Sequence, residues 1–122
     1  MSRDYVIAVI DDDESFRGAL VASLSSLGYD SRGFASAEEF IARDGIELYD
    51  CVITDIHMPG MNGFDLMRRL LSHHSSVPVI MITAHAEPGL EGRAAAVGAV
   101  CLLRKPIETD ALTYCLERAL KV

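Results

Sequence analysis

Residues 51–63 read CVITDIHMPGMNG, and this stretch decides the fold. Cys51 to Thr54 is a short apolar run rich in β-branched residues, which reads as a strand buried on both faces of a sheet. It ends on a carboxylate, Asp55, and passes through a turn to Gly63. Gly63 precedes a helical pattern that carries Phe64, Met67, Leu70 and Leu71.

The same unit recurs on either side. Residues 5–10, 78–82 and 100–103 are further apolar runs, and with 51–54 they are expected to form the middle of the sheet. Between them Phe16, Leu20, Leu24 and Leu27 recur at helical spacing, and Leu112, Cys115, Leu116 and Ala119 share one stripe of the last segment. Ser36 with Glu39 makes a capping-box signature that opens a helix at about Ala37. A shorter helix follows Pro88, weakened by Gly89 and Gly92. Residues 30–34 hold Ser31, Arg32 and Gly33, so this poorest strand belongs at a sheet edge. Strands alternating with helices give five βα units: a parallel sheet with right-handed crossovers and helices on both faces. No composition break, repeat or linker divides residues 1–122, which read as one domain.

Composition narrows the function. The chain has 122 residues and a net charge of −7, a balance that opposes direct binding to nucleic acid or to an anionic membrane surface. No apolar run approaches the roughly 18 residues that cross a bilayer, and Met1 to Asp4 lack the form of an export signal. A cytoplasmic protein is expected. Cys51, Cys101 and Cys115 are odd in number and far apart, each in an apolar segment, so they read as buried free thiols and not as bridges or a zinc site.

In an open parallel sheet the functional site lies beyond the carboxyl ends of the strands, where strand order reverses. The first strand runs into Asp11, Asp12, Asp13 and Glu14, the third ends at Asp55, the fourth at Thr83, and Lys105 follows the fifth. Any one alone is more often a helix cap, a strand-end hydroxyl or a surface charge. Together they put carboxylates, a hydroxyl and an ammonium at one rim, where crowded acids need a compensating cation. An all-oxygen ligand set favours a hard ion, magnesium, over zinc. A nucleotide-binding or flavin-binding domain of the same shape needs a glycine-rich phosphate loop after the first strand, and the acids at 11–14 would repel phosphate there.

The Asp11-Asp12 pair, Asp55-Ile56-His57-Met58-Pro59 with Gly63, Thr83-Ala84 and Lys105-Pro106 together resemble the signature of response-regulator receiver domains, in order and spacing along the whole chain. General similarity points to the FixJ-type subgroup. The resemblance implies a flavodoxin-like (βα)5 doubly wound sheet with strand order 2-1-3-4-5. It implies Asp55 as phosphoryl acceptor, with Asp12 a direct magnesium ligand and Asp11 a ligand through water; the backbone carbonyl of His57 completes the protein's share. Thr83 is expected to bond a phosphoryl oxygen and Lys105 to pair with the carboxylate or phosphoryl group, after a cis Lys105–Pro106 bond. The implied partner is a sensor histidine kinase or phosphotransfer protein. The implied output face, and a phosphorylation-dependent homodimer contact, spans 88–97, 100–103 and 110–120. Beyond self-phosphorylation and dephosphorylation no enzyme activity is implied. Two features depart from the commonest pattern: Leu102 stands where the family usually has Tyr or Phe, and His57 and His85 occupy positions that border the path of the attacking water.

Overall fold

The computed structural model describes residues 4–43, 45–85 and 87–121. The chain runs β1 (Val6–Ile10), α1 (Glu14–Ser26), β2 (Asp30–Phe34), α2 (Ala37–Arg43), a 3-10 turn (Ile46–Leu48), β3 (Cys51–Asp55), α3 (Gly63–Ser72), β4 (Val79–Thr83), α4 (Leu90–Ala96), β5 (Cys101–Arg104) and α5 (Thr109–Leu120). All strand pairings are parallel and the order is β2-β1-β3-β4-β5. This is the expected flavodoxin-like sheet. Its order reverses between β1 and β3, so the ends of those strands flank a crevice.

Alternation along the strands divides the core in two. Ile7, Val9, Cys51, Ile53, Ile80 and Ile82 pack with α1 and α5. Ala8, Ile10, Val52, Val79 and Met81 pack on the other side with residues of α2, α3 and α4. Every residue of β3 and β4 is buried, and each fully buried aliphatic side chain contributes about 1.5–3 kcal/mol. Among the described residues no helix is long and apolar enough to cross a membrane.

Several details differ from the sequence reading. The strand expected at 100–103 is at the sheet edge, pairing with β4 alone, and only Leu103 of β5 is buried. Cys101 is accordingly half-buried, whereas Cys51 and Cys115 are buried as expected. Leu27 falls just after α1 as its cap and is 37% exposed. Leu71 is 54% exposed, because it follows Leu70 by one residue and a helix turns about 100° in that step. Leu66 fills the core in its place. Gly63 is the first residue of α3 and not the one before it. Asn62 and Asp65 form a reciprocal capping box there, each side chain accepting from the other's backbone N–H. As expected, Ser36 caps α2 by accepting from Glu39 N at 3.0 Å, and β2 occupies an edge.

Candidate functional site

The three backbone positions that matter most are each fastened to a neighbouring strand. Asp11 N–H donates to the Phe34 carbonyl at 3.1 Å, Ile56 N–H to Ile82 at 2.9 Å, and Lys105 N–H to Thr83 at 2.9 Å. The ladder thus extends past the strand ends and fixes Asp11, Asp55 and Lys105 along one rim. The Lys105–Pro106 peptide is cis, as expected.

The side chains converge. Lys105 Nζ lies 2.8 Å from Asp11 Oδ2 and 3.3 Å from Asp55 Oδ2. It also stands 4.2 Å from the centroid of the Phe16 ring, a cation–π contact that steadies the ammonium. Oxygens of Asp11, Asp12 and Asp55 lie within 4.8 Å of one another. Asp11 has no exposed surface, Asp55 is 6% exposed, and Asp12 faces solvent.

This crowding leaves its mark on ionisation. Burial, and then the Asp11 charge, push the Asp55 carboxyl above its ordinary value, against the opposing pull of Lys105 and the His57 N–H. Burial by itself would lower the Lys105 ammonium, but contact with Asp11 and the charges of both acids outweigh it and hold the group above its usual range.

The donor set suits a hard divalent cation. Asp11 Oδ1 accepts from Asp13 N at 2.9 Å, but among the described residues no aligned hydrogen bond reaches the buried Oδ2, which has only the ion pair with Lys105. A second cation is the natural complement to three clustered carboxylates, and oxygen ligands are those magnesium prefers.

Thr83 is buried at the end of β4, its hydroxyl turned into its own loop. It accepts from His85 N at 3.0 Å and donates to the His85 carbonyl at 3.2 Å. His57 N–H donates to Asp55 Oδ1 at 3.2 Å. The His57 ring stands edge-on to that of His85, with centroids 5.0 Å apart, and its Nε2 is 3.3 Å from Glu87 Oε1. All six site residues read from the sequence therefore gather at this rim. Asp13 is the α1 cap, accepting from Phe16 N at 3.1 Å, in keeping with its ordinary reading.

Three supporting residues carry no local sequence signal for this site. Phe16, whose helical spacing marks it only as core, flanks the lysine. Arg17 Nη1 donates to the Asp11 carbonyl at 2.7 Å, and its stem lies 3.2 Å from where a Cβ on Gly33 would stand. Glycine in the edge strand thus leaves room for that arginine, which signals only through the pairing of β2 with β1. Glu87 lies in a loop whose course no local pattern reveals.

An acidic crevice at the switch point of a 2-1-3-4-5 sheet, faced by a lysine and bordered by a strand-end threonine, defines the class. Residues 7–117 match the family of the response regulator receiver domain, and the chain belongs to that family. It is 37% identical over 116 residues to the transcriptional regulatory protein FixJ of Bradyrhizobium diazoefficiens, a match covering 94% of this chain and 56% of that protein. The chain thus spans little more than half the length of that relative. Among solved structures it resembles the response regulator StyR, with TM-score 0.89 and 34% identity over 98% of this chain and 60% of that one. It also resembles FixJ-N, with TM-score 0.85 and 32% identity over 98% of this chain and 96% of that one.

Proposed function

We propose that this receiver domain takes a phosphoryl group onto Asp55 from a phosphohistidine of a sensor kinase or phosphotransfer protein, in a magnesium-dependent reaction in the cytoplasm. The observation that carries the reading is the meeting of Asp11, Asp12, Asp55 and Lys105 at one rim, with Asp55 the acid nearest the lysine after Asp11.

Asp11, Asp12 and Asp55, with the carbonyl of His57, are the groups that would hold magnesium. When bound, that ion supplies positive charge for the phosphoryl oxygens. The Asp55 carboxylate attacks phosphorus in line; a P–O bond forms as the P–N bond to the donor imidazole breaks, and the imidazole leaves with its electron pair. Lys105 offers its ammonium to the same oxygens, and Thr83 can rotate its hydroxyl from the His85 carbonyl to a phosphoryl oxygen. Both contacts grow as charge moves onto the phosphoryl group. Hydrolysis of the acyl phosphate at the same rim returns Asp55, so the chain acts as a switch and not as a catalyst of other reactions. The output face is the one built by α4, β5 and α5, where phosphorylation drives pairing of two copies.

The direct test is intact mass after incubation with magnesium and acetyl phosphate. One phosphoryl group is expected on the wild type and none on Asp55→Asn. A gain of equal yield in Asp55→Asn would overturn the assignment, and equal magnesium affinity in Asp12→Ala and wild type would remove the metal from this rim.

A further inference from the structure

Two of the three cysteines, separated by a strand-to-helix connection in sequence, come together beside one cavity. Cys101 opens β5 and Cys115 lies in α5; alternation along β5 turns Cys101 and Leu103 towards the α1 and α5 side of the sheet. Both residues line a cavity of about 480 Å³ that Ala94, Ala95, Tyr114 and Arg118 also line. Cys115 is buried in the core cluster against which Cys101 packs, and beyond that burial the Cys101 thiol raises that of Cys115. Arg118 Nη1 points at Cys101 Sγ from 3.8 Å, and its guanidinium sits 5.8 Å from the Tyr114 ring centroid.

We infer that Cys101 and Cys115 form a redox-active dithiol that hydrogen peroxide converts to an intrachain disulfide tying β5 to α5. Cys101 is the attacking sulfur: it is half-buried beside the cavity whereas Cys115 is buried, and Arg118 donates to it. Cys115 is the resolving one. Burial, then its contact with Cys101, push the Cys115 thiol up to about 12, so it waits as a thiol. The Cys101 thiolate attacks one peroxide oxygen; the S–O bond forms, the O–O bond breaks, and hydroxide leaves. The Cys115 sulfur then attacks the sulfenic sulfur, the S–S bond forms, and water departs with the Cys115 proton. Two thiols are oxidised and one peroxide is reduced to two waters. A thiol reductant reverses the change by exchange. Cys51, with no exposed surface and a thiol also pushed up to about 12 by burial, takes no part and serves as the internal control.

The test is hydrogen peroxide treatment of the purified chain, then denaturation, alkylation and peptide mapping by mass. The expected result is loss of alkylation at Cys101 and Cys115 with a peptide linking them, retention at Cys51, and full recovery with dithiothreitol. Wild-type mapping needs no variant, so the outcome does not depend on folding of a mutant. Cys115→Ser should stop at a sulfenic acid on Cys101 that dimedone traps, and Arg118→Ala should slow its formation several-fold. Undiminished alkylation of both thiols, a bridge through Cys51 or to a second chain, or oxidation of Cys115 undiminished in Cys101→Ser would overturn the inference.

Discussion

Lys105 pairs more closely with Asp11 than with Asp55, at 2.8 Å against 3.3 Å. Asp11 is fully buried and bonds one backbone N–H through Oδ1, so its other oxygen depends on the lysine. Removing one partner of a buried pair leaves an uncompensated charge. Lys105→Ala is therefore expected to cost about 2–3 kcal/mol in metal-free buffer, a little under the figure for a fully buried pair because the lysine keeps some exposure. Magnesium should narrow that gap and bind the variant more tightly, since no ammonium competes for Asp11. Urea unfolding with and without magnesium checks both. Equal loss in the two buffers would mean that the lysine and the cation do not share this acid.

The raised Asp55 carboxyl sets a direction for the pH dependence of stability. The folded chain holds the Asp55 proton more tightly than the unfolded chain, where the ordinary value is 3.8. The penalty for ionising it is absent below that value and complete above the raised folded value. Without magnesium, Asp55→Asn is expected to be more stable than wild type at neutral pH by about 1 kcal/mol. The advantage should fade as the pH falls through that window. A variant less stable than wild type at neutral pH would show that Lys105 and His57 overcompensate the burial.

Gly63 lies where a side chain cannot go. A Cβ there would stand 2.9 Å from the Asp55 carbonyl oxygen and 3.0 Å from Ile56 Cα, both backbone atoms with little freedom to move. Gly63→Ala is expected to cost about 1–3 kcal/mol and to displace Asp55. Phosphorylation by acetyl phosphate should slow in protein that remains folded by circular dichroism. An unchanged rate would mean that α3 gives way instead of the acceptor.

What the sequence made legible was whatever repeats locally. Strand β3 and its terminal Asp55 follow from an apolar run and one polar end, and β2 betrays its edge position by Gly33 among polar neighbours. Asp11 and Lys105 directly follow a strand and Asp55 and Thr83 end one, so topology alone gathers them. The rest depended on distances that no local pattern encodes. Arg17 reaches Asp11 only because α1 folds back over β1 and β2. Tyr49 completes a buried aromatic trio with Phe34 and Phe40 after a 3-10 turn too short to show periodicity. The exposure of β5 is hidden in the sequence because an edge strand packed by helices looks as apolar as a central one. The meeting of Cys101 and Cys115 was likewise hidden by the turn from β5 into α5.

Leu102 faces the α3 and α4 side of β5 and lines, with Thr83, His85 and Pro88, a cleft of about 210 Å³. Only an interaction that differs between two states can shift their balance. Thr83 offers one: its hydroxyl serves the His85 loop here and gains a charge-assisted bond if it turns to a phosphoryl oxygen. Leu102 has no polar group to exchange and is only half-buried. Thr83→Ala is thus expected to weaken the response of residues 88–97 to beryllofluoride, read by hydrogen exchange. Leu102→Ala should leave that response and lower stability by about 1–2 kcal/mol, less than for a fully enclosed leucine. Leu102→Tyr should be tolerated, because the cleft gives the ring room and solvent reaches its hydroxyl. Should Leu102→Ala abolish the response in folded protein while Thr83→Ala preserves it, the route from the rim runs through the strand and not through the loop after Thr83.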